Sequence, residues 1–366
     1  MKHSKRYVNG EGDGQPFNPD YHPISFALSY QINGYTYDDV PELTFGQLSA
    51  YAQDEWHLTD AFKLTYGLRI DVPMYISGAI DNPLVKDYTF GDSEKMEFDS
   101  WPTTKILWSP RIGFNYDITE DKSIKLRGGL GIFTGRIPFV WFTNQPQNSG
   151  MLQYQLAISG TNAAAQEQLA RLPFEVNASN LLNNSAIADI FPQANVARGN
   201  LSAIDKNFKL PQVFRASIAT DIKLPLNMVL SLEGIYTKDI NAITFDNINL
   251  NNPQSTLREG DKTRPYWPNT AQEQRSINAN YSYAVMMRNT DKGHGYNLSA
   301  QLTLPDFYGL SGNIAYTYTY AEEVVGKNGS DPYSAWRYRH IVDSPNTDEM
   351  GFTMDYMPHR IIIGAN

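Results

Sequence analysis

The sequence predicts an all-β chain, a segment of an antiparallel transmembrane β-barrel with about nine or ten strands, each long enough to cross a bilayer. Apolar and polar residues alternate with period two through four successive hairpins. The connections inside hairpins are short and those between hairpins are long, in strict alternation. No apolar run approaches the roughly 18 residues of a membrane helix, whereas a membrane strand needs only about ten.

The first hairpin sets the pattern. In 62–71 the even positions Phe62, Leu64, Tyr66, Leu68 and Ile70 are apolar, while Lys63, Thr65, Gly67, Arg69 and Asp71 are polar or small. The preceding strand keeps Leu48, Ala50, Ala52 and Trp56 on one parity, and a polar turn at 58–61 joins the two. Upstream, 7–23 is dense in Gly, Asn, Asp and Pro and reads as a loop, followed by a short strand at 24–30.

A polar loop at 76–104 leads to the second hairpin, 106–135. Ile112, Phe114 and Tyr116 share one face, Arg111, Asn115 and Asp117 the other, and after the turn at 119–123 Leu126, Leu130 and Ile132 oppose Lys125, Arg127 and Gly131. Pro110 cannot donate to a ladder and is expected at a bulge or strand end. The glycines at 128, 129 and 131 lie inside an alternating strand with no Lys-Ser/Thr after them, so they ease strand curvature rather than cradle phosphate. Residues 136–208 form the longest irregular stretch, with a strand candidate at 151–159 and a helix at 163–172 ended by Pro173. The third hairpin occupies 213–240 around a turn at 225–227, and the fourth occupies 284–322 around a turn at 305–309. Residues 323–357 are loop, and 359–366 begin a further strand.

Composition agrees with a wall between two phases. Tyrosine leads the aromatics, 23 against 17 Phe and 6 Trp, which suits rings at an apolar–aqueous boundary. The polar face carries Ser, Thr, Asn, Gln and Gly with few charges, as a lumen would, and Tyr316, Tyr318 and Tyr320 cluster at the long-loop end of their strand, where an aromatic girdle belongs. Short turns on one rim and long loops on the other match the periplasmic and outer sides of a barrel. With no cysteine there is neither a disulfide framework nor a thiolate site, and a net charge of −9 argues against a nucleic-acid partner. A soluble β-rich adhesin or glycan-binding sandwich accounts for the alternation but not for the order of the loops.

The segments YAQDEWHLTDAFKLTYGLRID, SPRIGFNYDIT, LRGGLGIFTGRIPFVWFTNQ, and FRASIATDIKLP followed by LEGIYTKDINAI resemble TonB-dependent outer-membrane receptors, in particular the Oar-like branch with a carboxypeptidase-regulatory-like domain. The resemblance runs from about residue 20 to the end of the chain. It implies a barrel of about 22 strands in the outer membrane of a Gram-negative bacterium. It also implies active import of a large ligand of unknown identity, with an internal plug and TonB as partners alongside outer-membrane lipid. Against that pattern, residues 1–366 are expected to be a partial barrel domain without signal peptide, N-terminal domain, plug or closing strand, and to form an open curved sheet. A passive porin or structural barrel is the alternative.

No catalytic, cofactor or metal residues are expected, and no enzyme activity: the histidines are scattered and no G-x-S-x-G elbow occurs. Glu11, Asp13 and Asp20 lack EF-hand spacing and read as a solvated loop. Lys63, Arg69, Arg111, Lys125, Arg127, Arg215 and Lys223 are expected on the lumen side, as wall residues paired with Asp71, Asp117, Asp221 and Glu233 or as contacts for a plug or an anionic path. Arg136, Trp141, Asn144 and Gln145, on the long loop, are candidates either for ligand contact or for packing that holds the loop down.

Overall fold

In a computed structural model of the protein, the described residues are 2–7, 23–31, 43–83, 85–151, 153–159, 162–190, 199–257, 264–267, 275–326, 329 and 331–366. The strands in chain order are β1 (Lys2–Tyr7), β2 (Pro23–Gln31), β3 (Thr44–His57), β4 (Phe62–Ser77), β5 (Leu107–Asp117), β6 (Ile124–Thr134), β7 (Gln153–Ser159), β8 (Gly199–Ile204) and β9 (Gln212–Lys223). They continue as β10 (Val229–Asp239), β11 (Ala242–Asn247), β12 (Ser255–Thr256), β13 (Pro265–Tyr266), β14 (Tyr281–Thr290), β15 (His294–Phe307), β16 (Leu310–Glu323), β17 (Gly351–Phe352) and β18 (His359–Ala365). The helices are α1 (Phe139–Gln147), α2 (Ala163–Arg171), α3 (Ser185–Ile190) and α4 (Pro332–Arg337).

A 10-stranded antiparallel sheet forms the wall, in the order β3-β4-β5-β6-β9-β10-β15-β16, with β18 and β17 end to end along the far side of β16. The sheet is open: among the described residues β3 pairs only with β4, and β18 only with β16. The first three hairpins fall where alternation places them, the fourth begins at His294, and apart from irregular pairs at Thr44 and Phe307 the register carries odd positions opposite odd positions from β3 through to β16. One parity therefore makes one face of the wall from β3 to β16, and β18, which sets odd positions opposite even ones, carries the even face on with its odd residues. Pro110 sits opposite Leu68 without a bulge in the β4–β5 ladder, and the β5–β6 ladder begins only at the next residue, Arg111, so the proline lies just outside the ladder on its β6 side. The last hairpin is tighter than expected: β15 runs on to Phe307, with an irregularity after Leu304, and Tyr308 (φ 53°) with Gly309 (φ 83°) makes a two-residue turn.

The long loops fold into a cap with its own cores. Its centre is the sheet β11-β14-β8, with β8 parallel to β14. Ala284 and Met286 face a cluster with Val85, Phe90, Met96, Phe98 and Tyr281; Val285 and Met287 face another with Leu107, Phe142, Phe208 and Phe245. This corrects the assignment of Ala284 to the fourth membrane hairpin. A strand buried on both faces needs a continuous apolar run, and Ala284 to Met287 supply one instead of an alternation. The strand candidates at 24–30 and 151–159 likewise lie off the wall: β2 pairs with β1 and β7 in a separate three-stranded sheet, where Phe26, Leu28 and Leu156 pack with Leu169 and Leu172 at the end of α2. The loop carrying Glu11, Asp13 and Asp20 lies outside the described residues.

Candidate functional site

The wall presents two chemically distinct faces. On the even face Leu48, Trp56, Leu68, Ile112, Leu130, Ile218, Leu298 and Ile314 are all exposed, and β18 continues the belt with Ile361 and Ile363. So contiguous an apolar surface is not a water-facing one. Toward the long-loop end Tyr296 stacks on Tyr320 at 5.2 Å, and Tyr318 meets His359 at 5.3 Å, forming an aromatic border to the belt.

The odd face carries all of Lys63, Arg69, Arg111, Lys125, Arg127, Arg215 and Lys223, because each occupies an odd position of a register that never slips by one. Most have carboxylate partners. Lys63 lies 3.3 Å from Glu55, Lys125 4.0 Å from Asp117, and Arg127 3.2 Å from Asp221 and 3.5 Å from Glu233. Arg69 grips Asp71 with Nε at 2.9 Å and Nη2 at 2.8 Å, while Gln47 and Ser49 donate to the same buried carboxylate. Lys223 is within electrostatic reach of Asp121 in the turn between β5 and β6. Arg111 and Arg215 differ: Arg111 stacks 4.6 Å over Phe133 and Arg215 donates to Thr237 Oγ1 at 3.3 Å, and among the described residues neither has a carboxylate partner.

The residues singled out on the long loop are separated by burial. Gln145 is 1% exposed; its Nε2 donates to Ser100 O at 2.8 Å and its Oε1 accepts from Ile204 N–H at 3.0 Å. Asn144 donates to Val140 O and accepts from Asn148, and Trp141 meets Phe245 edge-on at 5.2 Å. Gln145 and Trp141 tie α1 into the cap, Asn144 bonds within the helix and its C-terminal end, and of the four Arg136 alone is exposed. Phe142, on the same helix, packs against Phe45 and Tyr75, odd-face residues of β3 and β4. The cap thus rests on the polar face at the long-loop end.

Within the cap, sequence reasoning missed a polar cleft of about 310 Å³, lined among others by Asp92, Glu94, Asp246, Asn252, Trp267 and Arg288. Arg288 bonds Glu94 and lies 3.4 Å from Asp246. Behind it the fully buried Arg339 guanidinium donates to Thr244 Oγ1 and Phe245 O, both at 3.0 Å, and lies 3.5 Å from Asp348 and 3.8 Å from Asp246. Burial pushes the Asp246 carboxyl up to about 6, against the pull of Arg339, and Asp348 adds to the rise. The bonded pair Glu94 and Arg288 is 194 residues apart in sequence, so no local signal marks the cleft. Among the described residues no cluster of His, Asp and Glu is arranged to hold a metal.

Comparison with known proteins gives no match among curated sequences. Among solved structures the chain is similar to the copper transporter OprC (TM-score 0.37, 9% identity, 87% of this chain and 33% of that one). It is similar to the FrpB iron transporter from Neisseria meningitidis (0.38, 11%, 82% and 35%). It is also similar to the outer membrane transporter YddB from Escherichia coli (0.42, 8%, 94% and 45%). The chain spans between a third and a half of the length of these three. Residues 10–349 match the family model described as an outer membrane beta barrel domain. With a wall of antiparallel strands that is apolar on one face and polar on the other, the chain belongs to the outer membrane beta barrel domain family and its place is the bacterial outer membrane.

Proposed function

We propose that this wall is part of the barrel of a TonB-dependent active transporter that imports a large solute, that it works with a plug and TonB as partners, and that it carries no enzymatic activity. The observation that carries the proposal is the cap. Long loops fold into a packed body resting on the polar face through Phe142, Phe45 and Tyr75, and a wide diffusion pore has no use for such an obstruction. A gated path does, because the solute must then be recognised before it passes. The motif resemblance in 51–71, 109–119, 126–145, 214–225 and 232–243 supports the same class.

Site-specific photo-crosslinking in living cells tests it. A crosslink to TonB, together with solute entry that stops when a protonophore collapses the proton gradient, is the expected result. Entry that ignores the gradient, with no TonB crosslink, would establish a passive barrel instead.

A further inference from the structure

We infer that Arg111 and Arg215 form a paired anion site on the polar wall, which takes the carboxylate or phosphate group of a small solute. The inference deepens the transport proposal and rests on its premise that the polar face is the inner, water-filled side.

Register places the pair. Arg111 lies opposite Gly131, and Gly131 opposite Arg215, so the arginines stand in one row across β5, β6 and β9. Strands are about 4.8 Å apart, which sets the two backbones about 10 Å from each other. The position between them has no side chain. A depression of about 290 Å³ opens beside the row, lined by Gly67, Gly113, Gly129, Phe133 and the two arginines. Glycine backbone at 67, 113 and 129 forms part of its floor, and both arginine side chains border it, so an oxyanion in the depression lies within reach of each.

Charge pairing is what distinguishes this row. Lys63, Arg69, Lys125 and Arg127, around it on the same face, each have a carboxylate within 4.0 Å, and Lys223, at the turn end, has Asp121 within electrostatic reach. Arg111 and Arg215 have none among the described residues, in a chain whose net charge is −9. Two unneutralised cations held on one rigid face repel each other, and a bound oxyanion relieves that repulsion. Guanidinium groups are suited to it because their paired N–H donors match the geometry of carboxylate and phosphate oxygens. Phe133 holds Arg111 from beneath, limiting the freedom it would lose on binding.

The test is titration of the detergent-purified protein with inorganic phosphate against chloride at matched ionic strength, read by calorimetry. Phosphate should bind where chloride does not, and Arg111→Gln or Arg215→Gln should each weaken it at least about ten-fold, the loss expected when a charge-assisted bond is removed. The double variant should lose little more, since either arginine alone makes no clamp. Gly131→Ala supplies a variant that keeps both guanidinium groups: its Cβ would stand 3.0 Å from Arg111 Cγ and 2.9 Å from Pro110 O, so β5 must shift there and phosphate should weaken as Arg111 moves with it. Lys63→Gln should change nothing. Heat-modifiable gel mobility checks that each variant is folded. Equal phosphate affinity in wild type and both arginine variants would overturn the inference. So would a wild type that ignores phosphate while the double variant melts earlier, because the oxyanion would then be a carboxylate of the protein itself. Binding is read without transport, so failure of the TonB crosslink leaves this result intact, and the reverse.

Discussion

The wall and the cap are built by opposite means. In the wall each strand is dictated by its own alternation, neighbours are sequential hairpins, and charges sit in shallow pairs on one face. In the cap, β8, β11 and β14 come from three distant stretches, the strand at the centre is buried on both sides, and charge is buried with it at Arg339 and Asp246. The wall draws its stability from a surrounding phase that accepts its even face, whereas the cap has to satisfy every buried group internally. Damage to one region should therefore look unlike damage to the other.

The largest separation is expected at Arg339. Arg339→Met removes the cation between Asp246 and Asp348 and should destabilise the cap by about 3–5 kcal/mol, the range for breaking a buried pair. Limited proteolysis should cut the cap strands while the wall keeps its heat-modifiable mobility. If wall and cap fail together, the two are one cooperative unit and the comparison breaks. Next comes the wall. Leu68→Arg places a charge on the exposed apolar belt and should cost about 2–4 kcal/mol in urea unfolding from lipid vesicles. Thr65→Arg, on the polar face of the same strand, should cost far less, and equal costs would reverse the assignment of faces.

Gln145→Ala ranks third. It leaves the Ser100 carbonyl and the Ile204 N–H without a partner, a loss of about 1–3 kcal/mol. Hydrogen exchange should rise at β8 and stay unchanged at β3. The last effect is pH-dependent. The Asp246 carboxyl is raised from 3.8 to about 6 in the folded cap, so the folded form holds its proton more tightly than the unfolded chain does. That stabilisation is complete below about pH 4 and is lost as pH rises through about 6, about 3 kcal/mol over the whole span. Asp246→Asn should flatten this portion of the cap's stability profile; an unchanged slope would assign the titration to another group.

How much of this was legible in the sequence follows from the same contrast. Positions 62–71 announce their strand and its two faces because a membrane strand answers to lipid on one side and water on the other, and both are properties of single residues at alternating positions. Lys63, Arg69 and Arg127 could be assigned to one face by parity alone. Their partners could not, since Arg127 finds Asp221 94 residues away. Gln145 shows the limit most plainly: an amide on a long loop suits ligand contact and buried anchoring equally well, and only the placement of Ser100 and Ile204 beside it decides for anchoring. The fold class, the membrane phase and the division of the wall into an apolar and a polar face were thus determined by sequence, because they depend on local periodicity. The cap, its buried Arg339, and the separation of Arg111 and Arg215 from the carboxylates among the described residues were decided by tertiary structure, because each depends on which distant residues the fold brings together or keeps apart.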